Sequence, residues 1–505
     1  MPLSFRVLLL SGRETVIRAE DDTSLKDVLV RAEVVFATGL KHLVNASGQT
    51  LAGSTTVQEA GIADGETLTA IARWPMIASS APAFALLRAN GTVAAWGHKD
   101  GGGDCRHVQH QLQNVQEIRS TAGAFAALLA DGSVVTWGGT QFGGDCSKVK
   151  DQLKGARALS STCAAFAALR TDGRVVCWGA EDVGGDISGC KERLKDVREI
   201  QSSTGAFAAL RTDGTVVTWG AGDCGGDSWA VQDHLMGVRQ IQKNGYAFAA
   251  ILADESVITW GSSLDGGDSS KVREKLQFVQ GVAATDSAFA AILRDGSLVT
   301  WGARDAGGDS SAVQAKLRKV LHVVGSAGAF AAILEDRTVV TWGCQNCGGD
   351  SSAAQARLKD VRQIRCNDVA FAARLGDGSV VTWGSAAHGG DSSAVQDQLK
   401  EVQQIQASTE AFAALRSDGS VVAWGDSQRG GNSSCVEGDL HDVRSIQSTL
   451  SAFAAIREDG SVVTWGVAEE GGDSRAVQAE LKNVQEISGS IGAFAAVRTD
   501  GSVVT

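Results

Sequence analysis

Ala411-Phe412-Ala413-Ala414-Leu415-Arg416-Ser417-Asp418-Gly419-Ser420-Val421-Val422-Ala423-Trp424-Gly425 is the stretch that decides the fold. Ala411 to Arg416 is a short apolar run, Ser417-Asp418-Gly419 carries turn chemistry, and Ser420 to Trp424 is β-branched and aromatic, so the three read as a hairpin. Side chains alternate across a strand, which puts Phe412 and Leu415 on opposite faces and separates Val421 from Val422 in the same way. Both faces of the predicted sheet are therefore apolar, and both need covering. The small Ala413 and Ala414 allow a second sheet to approach closely.

Further copies of the same unit supply that cover. The Phe of Ala-Phe-Ala recurs at Phe84, Phe125, Phe166, Phe207, Phe248, Phe289, Phe330, Phe371, Phe412, Phe453 and Phe494, always 41 residues apart. Trp-Gly keeps the same step from Trp96 to Trp465. The next Trp would fall one step beyond Trp465, past Thr505, so the chain is expected to be a truncated product of a longer array. One unit cannot stand alone: its few large apolar side chains contribute roughly 1.5–3 kcal/mol each on burial, against about 1–2 kcal/mol of backbone entropy per residue. Stability must come from stacking.

Between hairpins, four residues after each Trp-Gly differ in every copy, and Gly-Gly-Asp follows. The Asp stands at Asp104, Asp145, Asp186, Asp227, Asp268, Asp309, Asp350, Asp391 and Asp473, with Asn432 in the remaining copy. Calcium-binding glycine-aspartate rolls repeat about every nine residues, not at this step, so these residues read as structural: glycines for positive φ, Asp near a helix start. A run such as Ser393-Ala394-Val395-Gln396 has capping-box form and predicts a helix of about two turns with Val395 and Leu399 on one face. It should end near Asn114, Gly155, Asp196, Gly237, Asp360, Asp442 or Asn483, before a strand such as Val402 to Gln406. The repeated Trp, beside Val-Val on a strand, reads as core.

Residues 1–73 do not follow the period. Phe5 to Leu10 with Glu14 to Glu20 read as a hairpin, Ser24 to Ala32 as a helix, and His42-Leu43-Val44 with Glu66 to Ala72 as later strands. Residues 74–82 read as a linker and 83–505 as the array: ten full periods and the start of an eleventh.

Composition narrows the function. A net charge of −12 argues against nucleic acid and acidic membrane as partners and favours basic ones. No apolar run approaches a membrane span, and Val7 to Leu10 is too short for a signal-peptide core, so the chain is expected to be intracellular, in cytoplasm or nucleus. Its ten cysteines share no common framework and are expected to be reduced. Cys344-x-x-Cys347 has no second pair and reads as coincidence in a variable loop; Cys105, His107 and His110 recur in no other copy and do not read as a metal site. No nucleophile elbow, phosphate loop or metal-binding helix motif occurs, so the sequence predicts no catalytic residue, no cofactor and no enzyme.

The first segment resembles ubiquitin-like domains. Asp22-Thr23-Ser24-Leu25 matches the helix start, Gly48-Gln49-Thr50-Leu51 a turn, and Asp64-Gly65-Glu66-Thr67-Leu68 the approach to the last strand. Arg73-Trp74-Pro75 stands where a diglycine tail belongs, so the resemblance implies a β-grasp fold and not conjugation. The repeats, with Asp377-Gly378 and Thr382-Trp383-Gly384, resemble those of the regulator of chromosome condensation family. That implies a β-propeller-like array, although the family's Gly-x-Leu-Gly element after Trp-Gly is replaced by Gly-Gly-Asp, which leaves the blade's outer strand open. The fold class is thus mainly β, with tandem repeats closing as a propeller or winding as an open superhelix; a seven-blade ring beginning a second is one such arrangement.

Variable loops on a repeated frame make binding faces. The candidates are His98, Lys99, Asp100, Gln141, Phe142, Glu181, Asp182, Asp223, Leu264, Asp265, Arg304, Asp305, Gln345, Asn346, His388, Gln428, Arg429, Glu469 and Glu470. The expected function is a scaffold or adaptor that binds a protein partner, its head recruiting ubiquitin-system components. Two alternatives come from the resemblance. One is the substrate-recognition part of a HECT-type ubiquitin ligase whose catalytic domain lies outside these residues. The other is a guanine-nucleotide exchange factor for a small GTPase, although the unbroken spacing leaves no room for the inserted wedge such factors use.

Overall fold

The computed structural model describes residues 2–9, 14–36, 40–45, 47, 49–51, 55–72, 76–489, 492–500 and 502–504. In the first segment β1 (Leu3–Leu9) pairs antiparallel with β2 (Glu14–Ala19) and parallel with β5 (Thr67–Ala72). The latter pairs with β3 (Leu40–Val44), which carries the short β4 (Thr50–Leu51), giving the sheet order β2-β1-β5-β3-β4. Helix α1 (Leu25–Phe36) lays Leu25, Val28, Ala32 and Phe36 on Phe5, Val7, Leu43 and Leu68. Ser24 starts it, its hydroxyl accepting the Asp27 N–H at 3.1 Å. This is the expected β-grasp order; Gly48 of the matched turn and Arg73-Trp74-Pro75 lie outside the described residues.

The rest forms eleven antiparallel three-stranded sheets, blades 1–11 in chain order. Blade 9 shows the plan: inner strand Val402–Ala407, middle strand Ala411–Arg416, outer strand Val421–Gly425. The middle–outer pair is the hairpin expected from sequence, with Phe412 opposite Trp424 and Leu415 opposite Val421. The two rings stack at a 5.3 Å centroid distance, an arrangement found in ten blades. Residues 76–79, expected as linker, are instead the inner strand of blade 1.

From blade 1 to blade 11 successive blades bury one face on each other, while Phe84 and Trp96, on the face of blade 1 that precedes the series, are only half-buried. Phe412, Ala414, Val422 and Trp424 pack on Ala370, Ala372 and Val380 of blade 8, while Ala411, Ala413, Leu415 and Val421 receive Phe453 and Trp465 of blade 10. The Trp of each Trp-Gly pair from Trp137 to Trp465 is buried, as expected, whereas Trp229, outside that pattern, is exposed. The inner strands follow one another, and that of blade 11 meets that of blade 1, so the array closes as a propeller-like ring. This corrects both the seven-blade ring and the open superhelix.

The predicted two-turn helix is also corrected. Its residues form no α-helix but 3-10 turns, three residues long as in Ser393–Val395 and at most six as in Ser147–Gln152 and Trp229–His234. Gln396 is not a helix cap. Its side-chain NH2 donates to the Val380 carbonyl at 2.9 Å, and its oxygen accepts from the Ser392 hydroxyl at 3.1 Å. It therefore satisfies an edge carbonyl that a fourth strand would otherwise pair.

The residue before the inner strand has positive φ in blades 2 to 11; the sequence identified Asn114 and Asp360 among others, but Phe278, Lys319 and Glu401 adopt it too. Arg337 does the same in the middle–outer turn, where most copies have Gly. Left-handed backbone costs a side-chain-bearing residue about 1–2 kcal/mol, partly offset in a Gly variant by greater unfolded-state entropy. Arg337→Gly should thus stabilise the ring by about 0.5–1 kcal/mol, measured as a rise in urea midpoint at unchanged slope.

Candidate functional site

The four variable residues after each Trp-Gly fold into a tight turn. In blade 8 these are Ser385 to His388, with Ala386–His388 as one 3-10 turn closed by Gly389 at φ 96°. A Cβ on Gly389 would lie 2.6 Å from the Phe412 ring, and one on Gly390 2.4 Å from the Gly384 carbonyl oxygen, so the Gly-Gly pair is fixed by packing as well as φ. The Gly389 carbonyl accepts the indole N–H of Trp424 in the next blade at 3.0 Å. Then Asp391 accepts the backbone N–H of Ser393 at 2.9 Å; its equivalents do likewise, including Asn432 at 2.9 Å. The expected structural role of Gly-Gly-Asp is what these bonds perform.

A second contact locates the loops. The inner-to-middle turn of blades 1 to 10 opens with Ser, Thr or Asn, whose buried side chain donates to the carbonyl of the fourth loop residue, as Asn367 does to His388 at 2.8 Å and Thr449 to Glu470 at 3.0 Å. All ten loops are held this way. Loops and turns therefore share one end of the ring. The next turn residue joins blades: Thr409 N–H donates to Leu450 carbonyl at 2.9 Å, and Ala122 N–H to Cys163 carbonyl at 2.8 Å.

Within this frame the second and third loop residues are exposed in every copy. That holds for Lys99, Asp100, Gln141, Glu181, Asp182, Asp223, Leu264, Arg304, Asp305, Gln345, Asn346, Gln428 and Glu469; His98 and Arg429 are exposed as well. Phe142, Asp265, His388 and Glu470, at the fourth position, turn towards the inner turns and are half-buried. Arg304, Asp305, Gln345 and Asn346 line one crevice of about 1240 Å³ between blades 6 and 7. Arg429 and His388 approach Glu410 from two sides, at 2.9 and 3.9 Å.

Sequence reading missed the turns themselves. Lys243, Asp286, Asp368, Thr409 and Leu450, contributed by different blades, line a cavity of about 500 Å³ around the ring's opening. The signal was present, because the residue after the Ser, Thr or Asn varies from copy to copy: Cys163, Thr204, Gly245, Asp286, Ala327, Asp368. Burial raises the Asp286 and Asp368 carboxyls above the usual range, and Asp368 adds to the effect on Asp286; burial lowers the Lys243 amine. Across loops and turns, together with Lys243 at the end of blade 5's inner strand, twelve carboxylates stand with four cations, Lys99, Lys243, Arg304 and Arg429. At the opposite end carboxylates are more often paired, as in Arg416–Asp418 and Arg362–Asp360.

Among the described residues the cysteine motifs do not gather three ligand atoms within 4.8 Å of one another. Cys347 lies beside Cys344, and burial, followed by the Cys344 thiol, pushes its own thiol up to about 11. Cys105 is buried and donates to Gln109, while His107 and His110 are exposed.

No family model and no curated protein matches the chain. Among solved structures, the computationally designed Ika8 protein is 14% identical with TM-score 0.27, over 62% of this chain and 96% of that one. Prp20p from Saccharomyces cerevisiae is 14% identical with TM-score 0.27, over 63% of this chain and 73% of that one. A Caldiarchaeum subterraneum ubiquitin is 15% identical with TM-score 0.14, over 15% of this chain and 96% of that one.

The turn aspartates make acid stability predictable. Neighbouring donors hold their carboxyls below the usual range, as Ser379 does for Asp377 and Arg475 does for Asp473, which sits at about 2. A carboxyl with folded pKa below its unfolded value, about 3.9, contributes stability above that value and loses it as pH falls through the folded pKa. With respect to these groups, the melting temperature should be level from about pH 7 to 5 and fall below about pH 4; a rise between 5 and 3 would contradict their role.

Proposed function

We propose that this chain is a non-enzymatic protein-interaction scaffold whose loop face receives a basic polypeptide segment, with the head linking that complex to ubiquitin-handling machinery. The observation that carries this reading is the convergence of every variable loop and turn on one end of a closed ring, where carboxylates outnumber cations by twelve to four. Such a face attracts cationic partners and orients them before contact. A polypeptide fits better than a small molecule because the variable residues are spread over ten blades instead of meeting in one enclosed cavity. The mechanism is recognition alone.

The β-grasp order of the head supports the ubiquitin link. The recognition part of a HECT-type ligase is the same reading of the loop face, with catalysis supplied from elsewhere in a longer protein. Guanine-nucleotide exchange is less favoured, since all ten loops have one length and none carries an insertion. No helix among the described residues is long and apolar enough to cross a membrane, and an intracellular setting, in cytoplasm or nucleus, belongs to this proposal.

Affinity purification with the full chain tests it, compared with a variant carrying Asp286→Asn, Asp368→Asn, Glu469→Gln and Glu470→Gln. The expected result is capture of basic proteins by the parent, weakening with added salt and reduced at least tenfold in the variant. Equal capture by both chains would contradict an acidic recognition face.

A further inference from the structure

His388, Glu410 and Asp426 meet on the loop face at the seam between blades 8 and 9. Each offers one ligand atom, and these atoms all lie within 4.8 Å of one another. They come from three segments: the end of blade 8's loop, the inner-to-middle turn of blade 9 and the start of blade 9's loop. The repeat frame does not require them. One repeat earlier the positions hold Cys347, Val369 and Ser385; one repeat later they hold Arg429, Ser451 and Val467.

The imidazole is already oriented. Ser385 Oγ lies 2.6 Å from His388 Nδ1, and when Nδ1–H donates to that hydroxyl the ring's lone pair sits on Nε2, 3.9 Å from Glu410. A hydrogen bond at the far nitrogen is how proteins fix the tautomer and direction of a metal-binding histidine. Asp426 Oδ1 accepts the Gln428 N–H at 2.7 Å, which holds the carboxylate in place and leaves Oδ2 available. Glu410 is held by Arg429 Nε at 2.9 Å. The arginine is thus the resident cation; its side chain is 46% exposed and can withdraw to water without breaking the core.

We propose that His388 Nε2, Glu410 and Asp426 bind a divalent transition metal of the zinc class. One imidazole and two carboxylates suit Zn²⁺, which takes N and O donors at about 2.0–2.2 Å and leaves a fourth position to water or an incoming side chain. Tetrahedral ligand atoms lie about 3.3 Å apart at such bond lengths, so small rotamer changes close the site around the ion. The metal replaces Arg429 at Glu410 and ties blade 8 to blade 9.

The test uses the full chain stripped with a chelator and titrated with zinc by calorimetry, and with cobalt(II) by visible absorbance. The expected result is one zinc equivalent whose affinity falls at least tenfold in His388→Ala and in Glu410→Gln. Ser385→Ala, which keeps all three ligands, should weaken it severalfold, and Arg429→Gln should strengthen it. Circular dichroism and tryptophan emission verify that each variant is folded, and the Ser385 and Arg429 variants preserve the test should the others misfold. Absence of zinc binding in the parent chain, or undiminished affinity in folded His388→Ala and Glu410→Gln, overturns the proposal.

Discussion

Face-on-face burial between successive blades is the interaction on which the structure depends. Each sheet presents a Phe-Ala-Val-Trp face to the blade before it and an Ala-Ala-Leu-Val face to the blade after it. The large residues of one face fit the small residues of the other, which lets two backbones approach while the aromatic pair fills the gap. Burial contributes about 1.5–3 kcal/mol for each large side chain, and half of every contact belongs to the neighbour. The indole N–H adds direction, since the Trp of each Trp-Gly pair from Trp137 to Trp465 donates to a loop carbonyl of the preceding blade.

That frame separates constraint from variation within each loop. Backbone atoms carry the fixed duties: the fourth carbonyl accepts from the turn, and the Gly carbonyl after it accepts from Trp. The second and third side chains have no such duty, so Gln141, Asp182, Leu264 and Asn346 can stand at equivalent positions without disturbing the fold. The fourth side chain occupies the seam between blades, where its identity decides local chemistry: a ring at Phe142, a thiol at Cys347, an imidazole at His388.

The hairpin, the repeat step and the two-sided core were legible because alternation along a strand maps directly onto faces. The loop candidates were legible as the residues that change between copies. Other features depend on information no local pattern holds. The number of blades in the ring is set by the wedge angle between packed sheets, which accumulates over all the interfaces. Ser393-x-x-Gln396 looked like a helix cap because a capping box and an edge-satisfying Gln share the same letters; the competing acceptor, Val380, lies 16 residues upstream. Met76 to Ser79 escaped notice because that strand lacks the Val-x-x-Ile pattern of later inner strands. Glu410 and Asp426 are unremarkable in sequence, and only the seam brings them to His388.

The central claim is that a blade exists only through its neighbours. The most direct measurement is circular dichroism and urea denaturation of the isolated repeat from Val361 to Glu401. The account predicts a disordered spectrum with no cooperative transition, and a β-rich spectrum with cooperative urea unfolding of that single repeat would contradict it.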